Sequence, residues 1–135
     1  RIGLMTTDIA SSGGALTVFP EGTTTDGCGV RDFHPRLFAA AIASATPVQP
    51  VAIRYGLGAD GSNVAPFIGD DDLFSHILRI LREPALTAEV VYFPALDSDG
   101  RNREELSAEA RLRIAGIIAP ERALDESSFC EPATA

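Results

Sequence analysis

Apolar and polar positions along the chain switch repeatedly between two periods, and the switches mark out its elements. Residues 2–12 place Ile2, Met5 and Ile9 on one helical stripe, and Gly13-Gly14 closes the segment as a helix stop. Ala15-Leu16-Thr17-Val18-Phe19 is short, apolar and bounded by Gly-Gly and Pro20, the pattern of a buried strand. Leu37–Ala45 is Ala-rich and apolar throughout, which predicts a short helix packed on a sheet. Val48–Tyr55 is a β-branched strand with Pro50 near its start. After a Gly/Asp/Ser/Asn loop over 56–70, Leu73, Phe74, Ile77, Leu78 and Leu81 repeat at helical spacing behind Asp70-Asp71-Asp72 and stop at Pro84. Ala88–Phe93 is the next strand. Glu104–Ile118 is a last helix, with Leu106, Ala110, Ile114, Ile117 and Ile118 on one face and Pro120 beyond it. The polar remainder from Glu121 has the composition of a disordered tail.

Helices alternating with strands predict an α/β fold: a small mixed or parallel sheet flanked by helices in a sandwich, over residues 1–120, followed by a tail at 121–135. Three strands leave unprotected edges, so the sheet reads as incomplete. At 135 residues a single core is feasible, since folding at this size buries roughly two-thirds of the unfolded surface. Burial of the Leu73–Leu81 stripe is the expected use of its apolar side chains, with a membrane surface or an acyl groove as the alternatives.

Charge narrows the partners. All eleven basic residues are Arg, the net charge is −8, and residues 1–55 carry four Arg against four acids, so the whole excess lies in 56–135. Such a field repels nucleic acid and anionic headgroups, and no nucleic-acid partner is expected. The longest unbroken apolar run, Leu37–Ala43, is seven residues, against the ~18 of a spanning helix. No secretory leader opens the chain as given. Cys28 and Cys130 are far apart, which fits a reducing compartment better than a disulfide framework.

The most informative stretch is Phe19-Pro20-Glu21-Gly22-Thr23-Thr24-Thr25-Asp26-Gly27. A strand runs into a Pro-fixed turn, a carboxylate, a Gly that permits close backbone approach, and hydroxyls. Such a concavity of amides and hydroxyls holds a polar headgroup or an anion; a strand-ending turn whose Thr side chains cap the loop uses the same residues. Glu21 likewise either contacts a ligand or caps the loop by accepting backbone amides. Arg54, at a strand's end, is expected to pair with an acid. Cys28 with His34 as a thiol–imidazole pair, or with His76 and Cys130 as a zinc site, lacks the accompanying motif or ligand spacing.

The unbroken Phe19-Pro20-Glu21-Gly22-Thr23 resembles the third motif of the phospholipid/glycerol acyltransferases, and Val48-Gln49-Pro50-Val51-Ala52-Ile53 is similar to their fourth. Phe33 and the small-residue helix Leu37–Ala45 between them are similar to the Phe-led loop and helix of that family, while Gly69-Asp70-Asp71 before a helix and the strand ending in Phe93-Pro94-Ala95-Leu96-Asp97 look like a bacterial branch that includes lyso-ornithine-lipid acyltransferases. The resemblance spans roughly residues 2–118 and implies transfer of a fatty acyl group from acyl-CoA or acyl carrier protein to a lysolipid hydroxyl. It implies peripheral contact with the cytoplasmic side of a bacterial membrane. No metal or cofactor is expected; the acyl donor is a substrate. Glu21, Gly22, Thr23 and Thr24 would contact the acceptor headgroup, with Phe19 and Pro20 shaping the turn.

Two departures stand out. The family's catalytic base is the His of a His-x4-Asp motif, yet Ala39 and Leu81 stand five residues after His34 and His76. The chain is therefore expected to be the C-terminal part of a longer enzyme and inactive alone, with no catalytic residue of its own; a non-catalytic lipid- or anion-binding remnant is the alternative, and a small α/β domain whose turn merely resembles the motif the blandest. Thr24 also stands where many members carry a phosphate-binding Arg, which makes an acceptor without a phosphomonoester, such as a lyso-ornithine lipid, more plausible.

Overall fold

The computed structural model describes residues 14–59, 61–68 and 72–118. The helix expected over 2–12 and the tail at 121–135 lie outside them. A 3₁₀ turn, Pro35–Phe38, runs into α1, Ala39–Ala43; then come β1, Val51–Tyr55, α2, Leu73–Arg82, β2, Ala88–Tyr92, and α3, Arg103–Ile118.

Each element has a local cause. Pro35 opens the 3₁₀ turn, where its missing N–H costs nothing. Asp72 caps α2: its carboxylate accepts the Ser75 amide at 2.9 Å and the Ser75 hydroxyl at 3.0 Å. Arg79 and Arg82 occupy the last turn, the favourable end for cations. At the start of α3 the Asn102 side-chain oxygen accepts the Glu104 amide at 2.9 Å, and Glu104 and Glu105 fill the first turn.

β1 and β2 form a two-stranded antiparallel sheet with Ile53 opposite Val90. Pairing extends past Pro50 through an isolated bridge of Val48 with Leu96, whose amides donate to each other's carbonyls at 2.9 and 2.7 Å. Arg54 pairs with Glu89 across the strands, as the sequence predicts, its Nε 3.0 Å from the carboxylate.

The core lies where the 31–38 segment meets α3. Phe33, Phe38, Leu96, Leu106 and Ala110 are buried together, with Val30, Leu37, Ile42, Val48 and Ile114 packed around them. The Phe33 and Phe38 rings stack at 6.3 Å. Ser98, fully buried, donates to the carbonyls of Ala41 (3.0 Å) and Thr46 (2.8 Å) and so ties the end of α1 to the turn after β2.

Three expectations are corrected. Ala15–Phe19 is not a strand: it is irregular, and Leu16, Val18 and Phe19 are exposed. A strand needs a ladder partner, and none of the described residues offers one. The β1–β2 sheet is antiparallel rather than partly parallel. The handedness rule for parallel crossovers needs a helix packed back on the sheet, whereas it is α3, not the intervening α2, that packs on β1. The α2 stripe is not core: Leu73, Phe74 and Leu81 are 61–73% exposed, and the buried residue of α2 is His76. The helix turns its more polar side inward. His76 meets Phe67 edge-on at 5.2 Å, and Arg79 reaches the His76 Nδ1 (2.8 Å) and the Pro66 carbonyl (3.2 Å). An α/β fold is present, with helical cover on the Ala52 side of the sheet; across the register the other face, Ile53, Tyr55, Val90 and Tyr92, is exposed.

Candidate functional site

The Phe19–Gly22 segment folds as a β-turn closed by the Gly22 amide donating to the Phe19 carbonyl at 3.2 Å. Pro20 occupies the second position, where its fixed φ fits, and Gly22 takes the fourth with φ +68°. Gly22 is needed there twice over. The left-handed backbone disfavours an L side chain, and a Cβ would lie 2.9 Å from His34 Nε2.

Three bonds hold this exposed turn onto the core. The His34 amide donates to the Pro20 carbonyl at 2.9 Å, and Phe33, the preceding residue, is a core ring. The Glu21 carboxylate accepts the Arg31 amide at 2.9 Å through Oε2. Arg111 of α3 donates to the Arg31 carbonyl at 3.0 Å and lies 3.4 Å from the Asp32 carboxylate. The motif is thus fixed from below, through residues 31–34, by α3.

Beyond the turn the loop folds on itself. Asp26 accepts the Cys28 amide at 2.9 Å, and Asn63 donates to the Asp26 carbonyl at 2.8 Å. The Thr24 hydroxyl donates to the Phe67 carbonyl at 2.6 Å, joining the motif to the segment before α2. Among the described residues the Thr23 hydroxyl makes only a long contact, 3.4 Å, to the Thr24 carbonyl, and it stays exposed.

The expected site residues therefore separate by what they have left to offer. Glu21 is half-buried and keeps one oxygen uncommitted among the described residues; Gly22 and Thr23 are exposed beside it. The Thr24 proton is spent on Phe67. Phe19, 77% exposed, projects from the turn, while Pro20 is half-buried. Both uses weighed for Glu21 remain open to it, because the loop-capping bond occupies a single oxygen. The turn lies on the surface beside two shallow hollows without lining either. One of about 280 Å³ lies between Asp32, Phe33 and α3; the other, of about 360 Å³, lies among Ser62, Asn63, Pro66, Ile68 and Arg79.

Sequence reasoning missed the place of His34. It weighs that residue only as a base, a thiol partner or a metal ligand, whereas the ring lies against the Gly22 backbone. Nothing in the twelve-residue spacing announces the contact; loop closure makes it. Among the described residues no group of three His, Cys, Asp or Glu is arranged to hold a metal ion, and no helix is long and apolar enough to cross a membrane. Cys130, considered for zinc, lies outside the described residues.

The Phe-Pro-Glu-Gly-Thr turn lies inside the stretch that comparison with known proteins matches. Residues 4–54 match the family model named Acyltransferase, and the chain belongs to that family. It is 44% identical over 109 residues to a lyso-ornithine lipid O-acyltransferase of Pseudomonas aeruginosa, covering 78% of this chain and 42% of that protein. Proteins of the same description from Rhizobium meliloti (37% identity, 80% of this chain, 42% of the relative) and Brucella abortus (34%, 84% and 49%) are also similar. The chain thus spans a little under half the length of these relatives. No solved structure matches it.

Proposed function

We propose that this chain is the acceptor-binding part of an O-acyltransferase of membrane-lipid biosynthesis, one that acylates the hydroxyl of a lyso-ornithine lipid. The reaction is attack of that hydroxyl on the thioester carbonyl of acyl-CoA or acyl carrier protein: a carbon–oxygen bond forms, the carbon–sulfur bond breaks, and the thiol departs with the hydroxyl's proton. The acceptor turn holds the headgroup through Glu21, Gly22 and Thr23, with Thr24 bracing it. The observation that carries this reading is the Glu21 carboxylate, fixed by the Arg31 amide through one oxygen and, among the described residues, open through the other beside an exposed Gly22-Thr23 edge.

Proton removal needs a base that neither histidine of this chain supplies in the His-x4-Asp pattern, so the chain alone does not turn over. The lipid acceptor places the complete enzyme at a membrane surface, peripherally, on the cytoplasmic side. Thr24 in place of Arg favours an acceptor lacking a phosphomonoester.

The test is a chimera in which this chain replaces the matching 109 residues of the Pseudomonas relative, assayed for acylation of lyso-ornithine lipid and of lysophosphatidate with acyl-CoA and acyl carrier protein donors. The expected result is acylation of lyso-ornithine lipid in preference to lysophosphatidate, abolished by Glu21→Gln. A folded chimera without activity, or one indifferent to Glu21→Gln, would refute the reading. Turnover by the unaccompanied chain, lost on mutating Glu21, would contradict the requirement for an added base.

A further inference from the structure

Two groups beside the motif turn have hydrogen-bonding capacity left over, and they are of opposite character. Glu21 has one carboxylate oxygen that accepts nothing from the described residues. The His34 ring is exposed, gives no side-chain cap to the helix it precedes, and makes no hydrogen bond within the described residues. Its backbone is nevertheless fixed, through the 2.9 Å bond to Pro20 on one side and the burial of Phe33 on the other. Glu21 precedes Gly22 in the chain, and the His34 ring crowds the space a Cβ on Gly22 would take, its Nε2 2.9 Å from that position, so an acceptor and a donor flank a single glycine. In either tautomer the ring offers an N–H, and protonated it offers two.

A headgroup matched to this pair brings a donor and an acceptor of its own. An ammonium suits the Glu21 oxygen and a carboxylate suits the His34 N–H, whereas a phosphomonoester brings acceptors only and meets Glu21 as a like charge. We propose that His34 is a specificity-determining residue of the acceptor site, donating to the carboxylate of an amino-acid headgroup whose ammonium Glu21 receives. The proposal rests on the reading of the motif turn as the acceptor site, and it adds a residue outside the Phe-Pro-Glu-Gly-Thr motif.

The test uses the 135-residue chain with phosphatidylcholine vesicles carrying Nα-dodecanoyl-ornithine, its methyl ester or lysophosphatidate. The expected result is a preference for the free carboxylate over the ester of about tenfold, the lower end for a hydrogen bond to a charged group. His34→Ala should erase that preference, His34→Gln, which keeps an N–H donor, should retain most of it, and the His34 imidazole resonances should move on binding. A purely structural role for His34 would weaken both ornithine lipids alike and leave their ratio unchanged. That outcome, with affinity for both still lowered by Glu21→Gln, overturns the proposal and spares the acceptor-site reading. Failure of every probe to bind, or binding indifferent to both Glu21→Gln and His34→Ala, removes the acceptor site and His34's role together.

Discussion

Replacing Gly22 by Ala tests the geometry on which the site depends. The substitution acts through two separable causes. At φ +68° a left-handed backbone costs an L residue about 1–2 kcal/mol. The new Cβ would also sit 2.9 Å from His34 Nε2 and 3.1 Å from Cδ2, so the ring must turn aside. That ring is exposed and can rotate, which limits this share to the cost of an off-rotamer side chain, about 0.5–1.5 kcal/mol. Together the loss is about 2–3 kcal/mol, a large part of the ~5–15 kcal/mol that stabilises a small domain. Urea unfolding followed by circular dichroism reads it directly, and the melting temperature should fall by roughly ten degrees. Repeating the substitution in a His34→Ala background separates the causes: the ring share should return and the backbone share remain. Equal losses in the two backgrounds would show that His34 does not press on the turn. A Gly22→Ala protein within about 0.5 kcal/mol of the parent would refute the left-handed turn itself.

Other outcomes follow from the packing and the charges. Leu106, fully buried at the centre of the core, should cost about 2–5 kcal/mol on replacement by Ala, measured by the same unfolding assay. Ser98→Ala leaves the carbonyls of Ala41 and Thr46 without their shared donor, and a loss of about 1–3 kcal/mol is expected, with faster amide exchange at the end of α1. Stability should also decline in acid. Hydrogen bonds from Ser75 lower the pKa of Asp72, a bond from Arg103 lowers that of Glu104, and bonds from Arg101 and then Arg113 lower that of Glu109. Because these folded-state values are depressed, the stabilisation is complete above the unfolded carboxylate range and is lost as pH falls through the folded values. Melting temperatures taken from neutral pH down through that range should fall, and Asp72→Asn, which keeps a capping oxygen, should flatten the curve; identical curves would show that Asp72 does not contribute.

Much of the architecture was legible because it is local. Asp72 before an apolar repeat, Pro84 after it, and Glu104-Glu105 opening a long periodic run mark α2 and α3 without reference to anything distant. The β-branched runs around Ile53 and Val90 likewise became strands, and Arg54 found Glu89. The motif turn was legible for the same reason: Pro20 and Gly22 specify their own backbone over four residues.

What the amino-acid order alone could not decide was who covers whom. The α2 stripe and the run at Ala15–Phe19 have the patterns of buried elements, yet both are exposed, because burial requires a partner surface and periodicity does not say whether one is supplied. Strand direction is likewise not legible in the order of elements, because alternation implies a crossover only when the intervening helix returns to the sheet, and here α3 takes that place. The anchoring of Glu21 by Arg31, of Arg31 by Arg111 across eighty residues, and of Gly22 by His34 arises from loop closure over the Phe33 core. Short-range chemistry determined the shape of the turn; long-range packing decided which of its groups remain free to meet a ligand.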